Sequence, residues 1–235
     1  SVFGCSADGD GPQRSFARYN DAKRPRAQLV LDSPDMLLHL DDDIAVVNKP
    51  SGIAVHRSGV VVDRETMLTV VRDMIGRRVY PAHRLDRGTS GVLVFGLHVD
   101  AARELHAAFV ERRVQKEYIA VVRGWMEVDE GSIDYPLWNR TKTEKLDAVT
   151  DYREVARVEL PYSVGRYTTA RYSLLLLNPR TGRTHQLRRH LAHLRHPIIG
   201  DTAHGDAKHN IFYREEFGLN RLMLHAATLT LPHPA

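Results

Sequence analysis

The chain has little cysteine, few aromatic side chains and no long apolar run. Its 235 residues contain one cysteine, Cys5, which has no partner for an internal disulfide. This favours a reducing compartment, and we expect a cytoplasmic protein. The longest wholly apolar stretches, such as residues 174–177, fall far short of the ~20 residues that a membrane-spanning helix needs. We therefore expect no membrane span.

The composition is that of an ordinary globular protein. Hydrophobic residues make up 43% and charged residues 26% of the chain, which excludes disordered, collagen-like and coiled-coil proteins. Lysine and arginine number 33 against 29 acidic residues, a net charge of +4. This balance permits a polyanionic partner without requiring one.

The sequence divides into a short first segment and one long domain. Residues 1–28 are rich in Gly, Asp, Ser and Arg without periodicity, which predicts a flexible leader or a segment foreign to the natural chain. Residues 29–235 show no repeat and no break in composition. They are predicted to form one domain.

Hydrophobic periodicity alternates along this domain between strand and helix patterns. Apolar β-formers predict strands at 44–48, 90–97, 116–125, 170–177 and 222–231. Helices are predicted after Asp100, which would cap the first of them, and at 184–194. This mixture indicates an α+β fold around a substantial sheet.

One loop concentrates charge. In the segment 83–91, HRLDRGTSG, Asp86 stands between Arg84 and Arg87 just before a predicted strand. Nearby positive charge keeps a carboxylate ionised, which suits a nucleophile better than a proton donor. The alternative is a cluster of surface ion pairs.

A second basic segment covers residues 181–197. Leu187, Leu191 and Leu194 form the apolar stripe of a short helix. Arg188, Arg189 and the histidines of the segment therefore cannot all face the core. The resulting cationic face suits phosphates, unless it is only a solvated surface.

A metal site is disfavoured in this basic segment. Its histidines at 185, 190, 193 and 196 could offer nitrogen ligands in pairs. However, the segment contains no carboxylate or cysteine, and its positive charge opposes a divalent ion. We therefore expect no metal.

Five blocks of the sequence together resemble the RluA-type pseudouridine synthases. The blocks are VNKPSGIAVH, HRLDRGTSGVLVFG, KEYIAVVRG, TGRTHQLRRHLAHLRHPIIGD and RLMLHAATLTLPHP, in the order of the family. The segments VHRSG, GRYTTARY and HPIIGDTAHGD are most similar to the bacterial branch that modifies tRNA at position 65.

The resemblance implies an isomerase that detaches a uracil from its ribose and rejoins it through C5, without metal or cofactor. It implies a mostly antiparallel sheet flanked by helices and loops, with the active site in a central cleft. Asp86 matches the nucleophile, Tyr118 the tyrosine of the third block, and Arg188 the basic partner of Asp86. Tyr118 alone is weak evidence, since strand tyrosines usually pack.

Substrate contacts follow from the same blocks. By resemblance, Leu187 lines the uracil pocket and Arg84 fills the gap left by the extruded base. The neighbouring block residues His83, Arg183 and Gln186 are also expected to bind RNA.

The sequence departs from the family at both ends. Many relatives carry a small basic N-terminal RNA-binding domain, which residues 1–28 are too short to form. The chain stops at Ala235 where relatives continue, which suggests truncation. We expect a monomer that recognises RNA through its catalytic domain, with tRNA preferred and ribosomal RNA as the alternative.

Two other classes of protein are alternatives. A retaining glycoside hydrolase needs a second carboxylate ~5–5.5 Å from the nucleophile, and the sequence does not place Glu117 or Asp201, the carboxylates of the third and fourth blocks, at that distance from Asp86. A non-catalytic RNA-binding module would leave Asp86 without a role.

Overall fold

The computed structural model describes residues 2–4, 36–57 and 65–235. Within these ranges the chain forms twelve strands and four helices. The strands are β1 (Val2–Gly4), β2 (Leu37–Leu40), β3 (Ile44–Lys49), β4 (Tyr80–Pro81), β5 (Ser90–Gly96), β6 (Gln115–Arg123), β7 (Glu130–Asp134), β8 (Leu137–Trp138), β9 (Lys145–Leu146), β10 (Val149–Leu160), β11 (Ala170–Pro179) and β12 (Leu224–Thr230). The helices are α1 (Met67–Ile75), α2 (Val99–Val110), α3 (Gln186–His193) and α4 (Ala207–Phe217).

Ten of these strands form one sheet. Its main order is β2-β3-β5-β12-β6-β11-β10-β7, with β1 paired to β12 and β4 to β5. Every pairing is antiparallel except that of β5 with β12. The expected α+β fold with a mostly antiparallel sheet is confirmed. Strand β12 joins the half of the sheet that contains β3 and β5 to the half that contains β6, β11 and β10.

A glycine makes the parallel joint possible. Gly91 pairs with Ala226 and has φ +114°, a conformation that side chains disfavour. A Cβ atom at this position would lie 2.1 Å from the carbonyl oxygen of Ala226. The last glycine of HRLDRGTSG is therefore required by the close approach of the two strands.

The strands β3 and β5 are buried on both faces. Ala45 and Leu93 belong to a core cluster with the α1 residue Val71, whereas Ile44 and Val92 pack with residues of α2. This explains why both strands are continuous apolar runs in the sequence and do not alternate with polar residues. On the other half of the sheet, α3 contributes to a separate core cluster with β6 and β11.

The element boundaries differ slightly from those predicted. The predicted helix 184–194 is observed at Gln186–His193. The prediction that Asp100 caps α2 is wrong: His98 is the N-cap, and its Nδ1 accepts from the backbone N–H of Ala101 at 3.2 Å. Asp100 lies in the first turn, where a carboxylate still favours the helix dipole.

The start of the chain adds one strand to the sheet. Val2–Gly4, within the predicted leader 1–28, forms a strand that pairs with Thr228–Thr230 of β12, and the other leader residues lie outside the described ranges.

None of the helices within the described ranges is long and apolar enough to cross a membrane.

Candidate active site

A cleft of about 470 Å³ opens where the two halves of the sheet meet. The loop 84–88 forms one wall, and the segments 200–202 and 220–222 contribute to its lining together with His185 and Arg188. Residues of the VNKPSGIAVH motif, from Ser51 to His56, complete it. This volume is within the range of about 300–1,000 Å³ that small-molecule sites occupy, so it suits one nucleotide and not an RNA stem.

The loop that carries Asp86 is held by the motif before it. Lys49, fully buried at the end of β3, donates through Nζ to the carbonyls of Arg87 at 3.1 Å and Thr89 at 2.8 Å. Ser51 Oγ donates to the carbonyl of Gly88 at 2.6 Å. These bonds fix the loop backbone, so the Asp86 carboxylate has a defined position at the cleft.

Lys49 is a residue that sequence reasoning missed. Burial lowers its pKa to about 7, and Arg87 acts in the same direction while the charge of Asp86 opposes it. The available signal was a lysine at the end of a buried strand, separated from the apolar run 44–47 only by Asn48 and followed directly by Pro50. Its three donors are all used, since Nζ also bonds the carbonyl of Pro50 at 2.8 Å.

Arg188 joins two carboxylates. Its Nη1 donates to Asp86 Oδ2 at 3.1 Å, while Nε and Nη2 donate to the two oxygens of Asp201 at 2.7 and 2.8 Å. The expected pairing of Arg188 with Asp86 is confirmed. It connects α3 to the loop before β5 across the joint in the sheet, and the fixed guanidinium plane sets the position of the nucleophile candidate.

Asp201, the last residue of the fourth block, is a second carboxylate whose role the sequence did not reveal. Only 1% of its side chain is exposed, and its Oδ1 also accepts from the backbone N–H groups of Ala203 and His204, both at 2.9 Å. Burial would raise the pKa of Asp201, but the bonds from Arg188 and from these N–H groups hold it below its usual value. A carboxylate fixed in this way positions Arg188 and is poorly suited to act as a proton donor.

His185 lies beside Asp86 at the start of α3. Its Nε2 is 3.8 Å from Asp86 Oδ2, and its Nδ1 is 3.0 Å from Nε2 of His204. The backbone of His185 is left-handed, with φ +53°. Burial lowers the pKa of both imidazoles. The sequence offered His185 only as a candidate metal ligand or basic residue, and it did not single out His204.

Tyr118 lies on β6, partly buried between the two core clusters that flank the joint. Burial raises the pKa of its phenol, and the charge of Asp86 raises it further. Its hydroxyl has no hydrogen-bond partner within the described ranges, where every fully buried polar side-chain atom is bonded. Tyr118 is not among the residues that line the cleft.

The predicted RNA-binding residues fall into two groups. Arg84 is exposed and lines the cleft together with Arg87 and Arg221, which gives the opening a positive charge. Leu187 packs into the core beneath α3, 7% exposed.

The other three predicted contacts serve the scaffold. His83 accepts from the backbone N–H of Val94 at 3.2 Å, and burial lowers its pKa to about 3. Arg183 donates through Nε to the carbonyl of Asp147 at 2.9 Å. Gln186 is buried, and its amide bonds to Thr181 and Thr150 as well as to backbone groups. None of the three lines the cleft, so their positions do not support substrate contact.

One group with metal-ligand spacing occurs among the described residues, away from this cleft. Ligand atoms of Asp41, Asp43 and His233 lie within 4.8 Å of one another. Asp41 already accepts from His233 and from backbone N–H groups. The group lies near the Ile44 end of β3, whereas the candidate site lies near the Lys49 end.

The family profile described as RNA pseudouridylate synthase matches residues 43–193. This range includes Asp86, Tyr118 and Arg188. The chain belongs to the RNA pseudouridylate synthase family.

Relatives of this RNA pseudouridylate synthase include proteins named tRNA pseudouridine synthase C. That of Vibrio parahaemolyticus is 47% identical over 209 residues, covering 84% of this chain and 85% of the relative. The protein of that name from Salmonella typhi is 48% identical over 209 residues, covering 84% of this chain and 80% of the relative.

Solved structures of this synthase family share the fold. Human RNA Pseudouridylate Synthase Domain Containing 1 superposes with a TM-score of 0.69 at 28% identity, covering 86% of this chain and 80% of that one. Human RNA Pseudouridylate Synthase Domain Containing 4 superposes with a TM-score of 0.65 at 26% identity, covering 83% of this chain and 84% of that one.

Proposed function

We propose that this synthase converts one uridine of tRNA, at position 65, to pseudouridine, with Asp86 as the nucleophile. The observation that carries this proposal is the ion pair of Asp86 with Arg188, 3.1 Å long, at a cationic cleft of nucleotide size. An ionised carboxylate held at a fixed position can attack a carbon atom of the flipped nucleotide.

The cleft also explains why the base must leave its stem. A uridine stacked inside a helix cannot present its sugar or ring carbon to a recessed carboxylate, and extruding it costs a few kcal/mol. The cations at the opening, Arg84, Arg87 and Arg221, can offset that cost by binding phosphates. Arg84 is suited to occupy the space of the extruded base because it is exposed at the rim.

The tRNA substrate is supported by the names of the relatives, which are tRNA pseudouridine synthases at 47–50% identity. The cationic cleft supports recognition of a folded RNA near the target uridine. A monomer located in the cytoplasm, where tRNA is abundant, fits this function. We further propose that no metal or cofactor takes part, since Asp86, Arg188 and Tyr118 supply the groups that the reaction needs.

The function can be tested by mapping pseudouridine with carbodiimide in tRNA pools and in a large-subunit rRNA transcript, each incubated with the protein. We expect one new site in tRNA. A site in rRNA and none in tRNA would refute the substrate while leaving the reaction in place.

The nucleophile is tested separately by Asp86→Asn. An amide is not a nucleophile, so we expect no detectable tritium release from C5-labelled uridine in RNA. Asp100→Asn, an exposed change on α2, serves as control and should match the wild type. Release of free uracil would instead indicate a glycoside hydrolase, and wild-type release from Asp86→Asn would indicate that Asp86 is not the nucleophile.

A further inference from the structure

A flipped uridine needs a contact that keeps it in the cleft. Extrusion carries the nucleotide and the two phosphates that flank it towards the cleft, and the loss of stacking favours its return to the stem. A cation at the cleft that has no carboxylate partner can bind one of these phosphates and oppose that return. The arginines of the cleft differ in whether they are free to do so.

Four arginines line the cleft, and three of them are already engaged. Arg188 is paired with two carboxylates, Arg87 donates through Nε to a backbone carbonyl at 2.8 Å, and Arg84 is assigned to the space that the base leaves. Arg221 is the fourth. No acidic side chain within the described ranges forms an ion pair with it, so its charge is available to a ligand.

The backbone of Arg221 lies against both parts of the candidate active site. A Cβ atom on Gly200 would lie 2.0 Å from the carbonyl oxygen of Arg221, and one on Gly88 would lie 3.3 Å from the Cβ of Leu222. Gly88 belongs to the loop of the nucleophile, and Gly200 directly precedes the carboxylate that holds Arg188. The two glycines therefore let Arg221 approach the loop and the carboxylate together.

The side chain of Arg221 is held by a buried hydroxyl. Its Nη1 donates to Ser90 Oγ at 3.3 Å, and the same oxygen lies 2.9 Å from Nδ1 of His225. Ser90, 7% exposed, begins β5 and pairs with His225 across the parallel joint of the sheet. A hydroxyl carries no negative charge, so this bond fixes the guanidinium without neutralising it. Its Nε and Nη2 groups have no acceptor within the part of the chain that the structure describes.

We propose that Arg221 binds a phosphate that flanks the target uridine and so holds the flipped nucleotide at Asp86, and that Ser90 is the positioning residue for the guanidinium. This rests on the proposed function. Nε and Nη2 donate to two phosphate oxygens, the bidentate geometry that suits arginine. Because Ser90 follows the loop of Asp86 directly into β5, one element of the fold positions both the nucleophile and the phosphate contact.

The first experiment maps phosphates by ethylation interference on the tRNA transcript that the wild type modifies. Ethylation removes the charge of single phosphates, and molecules that no longer bind reveal which phosphates the protein contacts. With the wild type, we expect interference at a phosphate next to the target uridine. Arg221→Gln should lose interference at that phosphate and keep it elsewhere. Arg103→Gln, on α2 with 75% of the side chain exposed, is the control and should give the wild-type pattern.

The same variants should differ in affinity and in salt dependence. Loss of a charge-assisted contact should raise Kd for RNA about 10–100-fold in Arg221→Gln. The slope of log K against the logarithm of salt concentration should become shallower by about 0.7–0.9, the value for one phosphate. The turnover rate at saturating RNA should also fall, because the nucleotide is less well oriented at the nucleophile. Arg221→Lys keeps the charge without the planar fork and should lie between the two.

Ser90→Ala tests the positioning role. If Ser90 acts through Arg221, this variant should raise Kd less than Arg221→Gln, and the double variant should bind no worse than Arg221→Gln alone. Additive losses would mean that Ser90 acts on the fold and would contradict the positioning role.

Two outcomes separate this inference from the function on which it rests. If the wild type forms pseudouridine in tRNA but Arg221→Gln still shows interference next to the target uridine, the phosphate contact is wrong, even when overall affinity falls. If the wild type forms no pseudouridine in tRNA, the proposed function fails, and the role of Arg221 fails with it.

Discussion

Arg188→Leu is the substitution whose consequences the structure defines best. It removes the guanidinium that bridges Asp86 and Asp201 and replaces it with an apolar side chain that can still pack on α3. Asp201, with 1% of its side chain exposed, keeps only backbone N–H donors from Ala203 and His204.

The cost follows from leaving that carboxylate buried without a counter-charge. Breaking a buried pair by removing one partner costs about 3–5 kcal/mol. For a domain of this size each kcal/mol shifts Tm by about 2–4 °C, so we expect Tm to fall by roughly 6–20 °C. Asp201→Asn added to Arg188→Leu should recover part of the loss, because an amide needs no counter-charge.

The measurement is thermal and urea denaturation of both variants and of a matched control, Arg103→Leu. Arg103 pairs with Asp100 at 3.1 Å on α2, but 75% of its side chain is exposed. A pair of this kind contributes about 0–1 kcal/mol. If Arg188→Leu is no less stable than Arg103→Leu, the bridge between the carboxylates does not stabilise the fold.

The pH dependence gives an independent check. The pKa of Asp201 is held below its ordinary value of 3.8 in the folded protein, by Arg188 and backbone N–H groups against the opposing effect of burial. Its contribution to stability is therefore present above about pH 4 and is lost as the pH falls through the lower, folded value. The difference between wild type and Arg188→Leu should shrink in acid, and a constant difference would contradict this account. In Arg188→Leu, the turnover rate at saturating RNA should also fall by a larger factor than the affinity for RNA.

Three other outcomes are expected. Tyr118→Phe should keep more activity than Tyr118→Ala if the ring acts by stacking on the base, whereas equal loss in a tritium-release assay would assign the role to the hydroxyl. Lys49→Met removes the donor to three carbonyl oxygens and should lower the free energy of unfolding. The pKa of Lys49 is about 7 in the folded protein, against an ordinary value of 10.5, so the wild type should gain stability as the pH rises from 7 towards 10.5. Lys49→Met should abolish this gain, which urea denaturation at pH 7 and 9 measures. Gly91→Ala places a Cβ 2.1 Å from the carbonyl oxygen of Ala226 and should destabilise the fold by several kcal/mol in the same assay, whereas Gly182→Ala, where a Cβ meets nothing within 4 Å, should change little.

The parts of the fold that could be predicted are those with strong local patterns. The apolar runs at β3 and β5 and the leucine stripe of α3 mark elements that bury their faces in the core. The pairing of Asp86 with Arg188, 102 positions apart, was accessible only through the resemblance of the motifs.

Other features leave no such local signal. Residues 155–159 of β10 are exposed, in the part of the strand that extends beyond β7 and pairs only with β11. The role of Asp201 depends on a turn that brings it under Arg188. His185 acquires its position from the left-handed start of α3. These contacts are tertiary, so no periodicity in the sequence announces them.

The position of β12 in the centre of the sheet has a consequence for the order in which the protein can become active during synthesis. The loop with Asp86 and the helix with Arg188 are both translated well before residues 224–230. Those residues form β12, which lies between the two halves of the sheet that carry the loop and the helix. Neither half can be placed against the other until that strand has left the ribosome. Such non-local closure is slow compared with helix formation. A nascent chain ending before β12 would therefore carry Asp86, Tyr118 and Arg188 and still be unable to modify RNA.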